Sequence, residues 1–339
     1  MNAFSSLLAS LPAAHGGYLG QTIALAVAVS WTVCALLSET VSRRLGAHVV
    51  NVLRMVLSLL FIGALLWVCT GSPLPPQADA TTWGWLLASG AVGYVFGDYC
   101  LFNAYLLIGS RFGQLFMTLA PAVSALAGWL LLGERLSPQA LAGMAVTTTG
   151  IAVSILGRGA PDEEGEGRHR RKVRLNLPAR GVLLGIGAGV GQGLGLTLSA
   201  VGLHHYAADW ASGAAAPAAV EHLRWLLPFA ATQMRAVAGL PGFLLILLLA
   251  GKGGALRRAC TDGRGWLLMA ATVVFGPFVG VSLSLMATQY TSTGVAMTIM
   301  SLSPVLILWP AHVLFGQRVT RREVLGALIS VAGVALFFV

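Results

Sequence analysis

Long apolar runs alternate with short segments that carry most of the charged residues, from residue 17 to residue 338. A helix rises about 1.5 Å per residue, so a hydrocarbon core about 30 Å thick requires roughly 20 apolar residues. The pattern therefore predicts an all-α integral membrane protein. The ten predicted membrane-spanning helices lie near residues 17–38, 48–69, 83–107, 111–132, 138–157, 181–203, 229–250, 266–288, 293–315 and 322–338.

Three segments interrupt this pattern. Residues 1–16 have no basic residue before their apolar stretch, as a secretory signal would, and are predicted to be a short tail. Residues 158–180 mix acidic and basic side chains with Gly and Pro, which predicts a solvated linker. Residues 204–228 are less polar, and their end from Pro217 onward is predicted to form a short amphipathic helix in a surface insert.

The second half of the chain repeats the first at an offset of 183 residues. The offset holds without a gap over four predicted helices, and it pairs Trp83 with Trp266, Gly93 with Gly276, Gly97 with Gly280, Pro121 with Pro304, Arg135 with Arg318 and Gly150 with Gly333. The predicted units are therefore residues 1–157 and 181–339, each with five helices. An odd number of helices turns the second unit upside down, and inverted repeats are typical of alternating-access transporters.

Composition excludes an ordinary soluble enzyme. The chain is 56% apolar and 10% charged, whereas soluble domains are about 45–50% apolar and about 25% charged. The net charge of +9 suggests nucleic-acid binding at first, but the arginines gather in short loops between apolar runs. That distribution is typical of membrane orientation, and no nucleic-acid partner is predicted.

The basic residues fall mainly in the loops after the first, fifth, seventh and ninth predicted helices. Loops rich in Lys and Arg face the cytoplasm in most multi-pass proteins. The distribution therefore predicts a cell (inner) membrane protein with both termini outside.

Asp98 is the most unusual residue for its depth, because an ionised carboxylate near the bilayer centre is unfavourable by at least about 2.5 kcal/mol. Tyr94, Asp98 and Tyr105 share one helix face, while Gly93 and Gly97 begin a neighbouring face that is small enough for close helix packing. Arg54 lies at a similar predicted depth and is the expected partner. The pair is either a static ion pair or a site linked to a proton or a substrate.

Two prolines, Pro121 and Pro304, fall in the middle of predicted helices, where each removes a backbone hydrogen bond and is expected to kink the helix. Thr118 and Ser301 stand three residues earlier and could satisfy the freed carbonyls. The alternative is that the kinked helices line a central cavity. The predicted cavity-lining residues are Trp31, Tyr94, Asp98, Tyr105, Gln114, Thr118, Gln192, Thr298 and Ser301.

No metal or cofactor is predicted. The four cysteines have no metal-like spacing, and His204, His205 and His222 lack a firm ligand pattern. The glycines of residues 187–195 are spaced like a dinucleotide loop, but no strand precedes them. An intramembrane enzyme would need converging acids, bases or nucleophiles, which the sequence does not contain.

Three segments resemble the EamA repeat of the drug/metabolite transporter superfamily. Residues 119–156 (LAPAVSALAGWLLLGERLSPQ…) and 302–339 (LSPVLILWPAHVLFGQRVTRR…) resemble its hallmark end, and residues 28–55, with Trp31 and Arg54, resemble its beginning. The resemblance implies a ten-helix permease with inverted repeats and a cavity lined mainly by helices 1, 3, 4, 6, 8 and 9, without an ATPase subunit. It also implies cytoplasmic termini, whereas the arginine distribution predicts termini outside. This sequence departs from the family pattern at Gln317, because the matching position of the first repeat is a glutamate, Glu134.

The predicted function is therefore secondary transport of a small metabolite, with export of a polar or amphipathic solute and proton exchange through Asp98. Family members handle amino acids, amines, nucleotide precursors and sugar derivatives, so the resemblance names no substrate. One alternative is a carrier for a lipid-linked or cationic amphiphile, and another is a membrane scaffold or receptor. The expected partners are a small-molecule substrate and membrane lipids, and both a monomer and a homodimer fit the sequence.

Overall fold

The computed structural model describes residues 18–101, 103–104, 107–108, 116–157, 178–213, 224–259, 262–306, 308, 310, 313 and 320–338. Helices and turns make up these ranges, and no strand occurs within them. The predicted tail, most of the predicted linker, and Tyr105, Gln114, His222 and Gln317 lie outside the described residues.

Thirteen α-helices are described in these ranges. They are α1 (Leu19–Leu45), α2 (Ala47–Thr70), α3 (Ala80–Gly90), α4 (Ala120–Leu132), α5 (Pro138–Gly157), α6 (Ala179–Gly213), α7 (Leu227–Leu249), α8 (Gly253–Ala259), α9 (Gly263–Val273), α10 (Ser282–Ala287), α11 (Thr293–Met300), α12 (Ser303–Leu306) and α13 (Arg321–Ala335). A 3-10 turn (Arg224–Leu226) leads into α7. Two π-helical segments, π1 (Ala91–Asp98) and π2 (Val274–Val281), continue α3 and α9.

The described part of the chain is helical and contains helices that suit a membrane. Five helical stretches in the described residues are long and apolar enough to cross a bilayer: Leu19–Ser42, His48–Thr70, Ala179–Trp210, Arg224–Leu249 and Gly263–Ala287. Many large apolar side chains point away from the core, including Trp67 at 65% exposure and Leu267 at 75%. The count of ten membrane-spanning helices remains a prediction.

The offset of 183 residues recurs in the backbone. Helix α3 matches α9 residue for residue, and π1 matches π2. Each pair starts with an aspartate cap, since Asp79 accepts a hydrogen bond from the Thr82 N–H at 2.7 Å and Asp262 accepts one from the Gly265 N–H at 3.1 Å. The repeat in the sequence is thus a repeat of local structure, including a π-helical segment that the apolar pattern did not predict.

The two halves pack crosswise. Helix α1 packs against α9, π2, α10 and α11 of the second half, and α6 packs against α3, π1 and α4 of the first. The glycine face predicted for residues 93 and 97 makes this contact, because a Cβ atom on Gly93 would lie 3.3 Å from the Gly195 Cα and one on Gly97 would lie 3.3 Å from Gly191. These glycines let the α6 backbone approach π1 closely.

Helices α5 and α13 pack on each other through small residues. A Cβ on Gly150 would lie 2.7 Å from the Gly326 carbonyl oxygen, and a Cβ on Gly143 would lie 3.0 Å from that of Gly333. Gly143 matches Gly326 and Gly150 matches Gly333, so the two contacts are reciprocal. Reciprocal contacts are the pattern of a two-fold-related pair.

Residues 204–228 were predicted to be a surface insert, and for their first part this is wrong. Residues 204–213 continue α6, and within them Tyr206 is fully buried and Trp210 is 8% exposed. The Tyr206 hydroxyl donates to the Pro76 carbonyl at 2.9 Å, which satisfies the polar end of the buried ring. The aromatic residues therefore extend the core at this end of α6, whereas His204 and His205 are exposed.

The two prolines do not kink continuous helices. Pro121 lies in the first turn of α4, after a turn at Thr118 and Leu119, and Pro304 is likewise in the first turn of α12. The carbonyl four residues before Pro304, that of Met300, accepts from the Ser303 hydroxyl at 3.0 Å. Ser301, predicted for that role, donates instead to the Met297 carbonyl at 2.7 Å. Each proline thus begins a helix after a break.

An ion pair between Arg44 and Asp262 joins the end of α1 to the start of α9. The Arg44 guanidinium and the Gly265 N–H lower the pKa of Asp262 to about 2. Because this pKa lies below the ordinary value of about 3.9, the carboxylate stabilises the fold above about pH 4, and the effect is lost as the pH falls toward 2.

We expect the difference in melting temperature between the parent and Asp262→Asn to stay constant from pH 5 to pH 8. A difference that changes within that range would contradict the assignment.

Candidate functional site

Asp98, at the end of π1, lies in a buried ionic cluster. Its Oδ2 atom accepts a hydrogen bond from Arg54 Nη2 on α2 at 2.6 Å, and its Oδ1 atom accepts one from Gln192 Nε2 on α6 at 2.8 Å. The Asp98 side chain is 11% exposed and that of Arg54 is 18% exposed. The contact between Arg54 and Asp98 that their depths predicted is therefore present, and both carboxylate oxygens have charged or polar donors.

A second buried arginine lies beside this pair. Arg235 on α7 is 5% exposed, and its Cζ atom lies 4.7 Å from the centre of the Tyr94 ring, which is 7% exposed. Within the described part of the chain, no carboxylate lies within 4 Å of the Arg235 guanidinium. Arg235 corresponds in sequence to Arg54, and the position matching Asp98 is Val281. The neighbour of Arg235 is thus an aromatic ring of the first half.

Several buried polar atoms of this region have no hydrogen-bond partner. They include Arg54 Nε, Arg235 Nε and the Tyr94 hydroxyl. Tyr94 lies within electrostatic range of both arginines and of Asp98, and Cys34 on α1 lies within range of Arg54 and Asp98. Unpaired buried donors are rare in native proteins, and each needs an explanation.

Of the predicted cavity-lining residues, Tyr94, Asp98 and Gln192 meet at the ionic cluster. Trp31 is half-buried on α1, where its indole lies against Gly280. Gly97 is the residue of the first half that matches Gly280, and the side chain that lies against it is Gln192. Thr298 is buried and donates to the Gly294 carbonyl at 2.8 Å, which is a local bond within α11. Ser301 is bonded locally as well, and Thr118 lies in the turn before α4 and is partnered.

Glu134 has a structural role. Its carboxylate accepts from the Thr293 N–H at 3.0 Å and from the Thr293 hydroxyl at 2.8 Å, which caps the start of α11. A groove of about 520 Å³ lies nearby, lined by Ala125, Leu126, Trp129, Glu134, Arg135, Leu136 and Leu141. None of the cluster residues lines this groove, so its chemistry is separate from that of Asp98. No group of three or more His, Cys, Asp or Glu residues in the described ranges could hold a metal ion.

The family follows from comparison with known sequences. The profile of the EamA-like transporter family matches residues 18–156 and, a second time, residues 207–339. The chain belongs to the EamA-like transporter family. It is therefore a multi-pass membrane protein and a permease of the drug/metabolite transporter superfamily.

Other comparisons concern the fold of this EamA-like protein. No curated protein matches the chain significantly. Among 27 matching chains of solved structures, one described as "Crystal structure of protein" has a TM-score of 0.64 and 16% identity, and the match covers 94% of this chain and 96% of the other. At that identity the likeness concerns the fold alone.

The sequence pattern did not indicate that Arg235 belongs to the site or that it packs on Tyr94. A buried arginine in an apolar run without a matching acid is the signal that could have pointed to it. Gln192 was predicted to line a cavity, and its bond to Asp98 depends on the crosswise packing of α6 on π1.

Proposed function

We propose that this protein is a secondary transporter that moves a small metabolite by alternating access and that solute recognition centres on the cluster of Arg54, Tyr94, Asp98, Gln192 and Arg235. The observation that carries the proposal is the burial of two arginines and one carboxylate, with unpaired donors, where α2, π1, α6 and α7 meet. Ionisable groups within membrane helices are unfavourable unless they are paired or functional.

The arrangement of the halves supports alternating access. The reciprocal α5–α13 contacts, the crosswise packing and the matched π segments are what an inverted repeat of five helices would produce. The turns before Pro121 and Pro304 and the π segments are irregular backbone within apolar segments, which is favoured beside a cavity that opens. We propose that the halves rock against each other about this region.

Two sets of contacts support the predicted sidedness of the loops. The Arg44–Asp262 pair brings the loop after α1 to the loop before α9. At another place Asp209, near the end of α6, accepts from the Asp79 N–H at 3.1 Å. The first contact joins the loops after the first and seventh predicted helices, and the second joins the loops after the second and sixth. This pairing agrees with loops after odd-numbered predicted helices (odd loops) on one side of the membrane and loops after even-numbered ones on the other. The proposal that the odd loops are cytoplasmic rests on the arginine distribution.

Proteoliposomes that contain the full chain test transport directly. We expect saturable flux of at least one solute from a panel of labelled amines, amino acids and carboxylates, absent from protein-free vesicles. No solute-dependent flux and no thermal stabilisation across the panel would contradict the proposal and favour a scaffold or receptor.

Proton exchange through Asp98 has its own test. Asparagine keeps a hydrogen-bond acceptor for Arg54 but cannot carry a proton at neutral pH. We expect Asp98→Asn to lose the stimulation of flux by a pH gradient, while the parent and Asp79→Asn keep it. Unchanged stimulation in Asp98→Asn would remove the proton role and leave Asp98 as one half of an ion pair.

A further inference from the structure

We infer that the ionic cluster binds the carboxylate of a small monoanionic solute, held by the Arg235 guanidinium and the Tyr94 hydroxyl. The inference rests on the proposed function, since it names the class of solute for the proposed site. It starts from the charge that the cluster leaves without a partner.

The described cluster carries one excess positive charge. Arg54 and Asp98 form an ion pair, whereas Arg235 is 5% exposed and has no carboxylate within 4 Å in the described ranges. Arginine stays charged in proteins, so Arg235 cannot relieve its burial by losing a proton. One further negative charge would neutralise the site.

The ring of Tyr94 does not compensate for this burial. The stabilisation from a desolvated cation–π contact is smaller than the effective free-energy penalty for burying an ion. A carboxylate that accepts two hydrogen bonds from a guanidinium supplies both the charge and the geometry that are missing. The cluster is closely packed in this conformation, so the solute would enter when the halves separate around it.

The unpaired atoms around Tyr94 fit an acceptor ligand. Arg54 Nε and Arg235 Nε can only donate, and the Tyr94 hydroxyl can donate as well. Both oxygens of Asp98 are already engaged by Arg54 and Gln192. A cation therefore has no free carboxylate in the described cluster, whereas the three unpaired donors suit an anion.

The net charge and the unpaired donors of the cluster also predict selectivity among anions. One excess positive charge matches a monoanion, while a dianion would leave a buried negative charge. A zwitterionic amino acid would place its ammonium group in a cluster whose carboxylate is occupied. We therefore expect affinity to fall in the order monocarboxylate, then zwitterion or dianion, then the neutral amide and the cationic amine.

Binding can be measured on the purified full chain with four-carbon probes of similar size. Butyrate, butyramide, butylamine, 2-aminobutyrate and succinate are compared by thermal shift, with sulfate as the background anion. We expect butyrate to stabilise the protein most. No shift with butyrate, or an equal shift with butyramide, would overturn the inference.

Variants locate the site. We expect Arg235→Gln to weaken butyrate binding about 30-fold or more, because it removes one partner of a buried charge pair. Tyr94→Phe keeps the ring and its packing and should weaken binding about 10-fold, so it tests the site even if Arg235→Gln does not fold. Arg44→Gln removes an arginine of the surface ion pair and serves as the matched control. Equal butyrate affinity in the parent and Tyr94→Phe would exclude the Tyr94 hydroxyl and overturn the assignment.

Flux measurements on the same probes separate the two proposals. Transport of amines alone, without butyrate binding, would retain the transporter and reject the monoanion site. Butyrate binding without flux of any solute would retain the anion site and reject the proposed function.

Discussion

Replacing Asp98 by leucine is expected to lower the free energy of unfolding by about 3 kcal/mol, because Arg54 would keep its charge in a buried position without a partner. The figure lies at the lower end of values for buried pairs, since the Arg54 side chain is 18% exposed. Gln192 would also lose the closer of its two acceptors and keep only the Gly93 carbonyl. Unfolding of the purified protein in mixed micelles by increasing SDS measures the loss.

The control for this variant is Asp79→Ala. It also removes one aspartate, but Asp79 is an exposed helix cap, so we expect a clearly smaller loss of stability. Equal losses in the two variants would mean that the burial of the ion pair contributes little.

The double variant Arg54→Met with Asp98→Leu separates structure from function. Replacing a buried ion pair by apolar residues is often neutral or stabilising, so we expect it to recover most of the parent stability. If the pair serves transport, the double variant should be folded and inactive in flux assays. A folded double variant with parental flux would assign Asp98 and Arg54 a purely structural role.

The second large effect is expected at Gly90, where α3 passes into π1. A Cβ atom there would lie 3.0 Å from the Arg235 Cα and even closer to its carbonyl oxygen. Backbone atoms cannot move aside as a flexible side chain can, so Gly90→Ala must separate α3 from α7. We expect a loss of about 2 kcal/mol in the free energy of unfolding, together with a loss of flux, because the shift displaces Arg235 from Tyr94.

Gly84 on the same helix is the matched control. Nothing lies within 4 Å of the position that its Cβ would occupy, and its backbone is helical. Gly84→Ala should therefore raise stability by roughly 0.5–1 kcal/mol through helix propensity and leave flux unchanged. If Gly90→Ala behaved like Gly84→Ala in both assays, close packing of α3 on α7 would not be required for transport.

Much of the fold could be predicted because it depends on local and periodic properties. The apolar runs indicated membrane helices, and the offset of 183 residues indicated a repeat that the matched α3 and α9 helices display. The depth of Asp98 marked it as a residue that needs a partner. Each of these features follows from the spacing of apolar, charged and repeated residues along the chain, which can be read directly from the sequence.

Other features depend on how helices rotate and which helices become neighbours. The sequence did not reveal that Arg235 packs on Tyr94, that Gln192 bonds to Asp98, or that Ser303 serves the carbonyl assigned to Ser301. The two π segments turn residues 91–98 and 274–281 relative to an α-helix, which changes the face each side chain presents.

The sequence by itself thus determined that this protein is a helical membrane transporter built from a repeated unit, with an acid and an arginine deep in its first half. Only the tertiary structure decided which groups surround that acid. Composition and spacing set what must be buried in the bilayer. Contacts between residues far apart in the chain, such as Gly90 and Arg235, set what the buried groups meet.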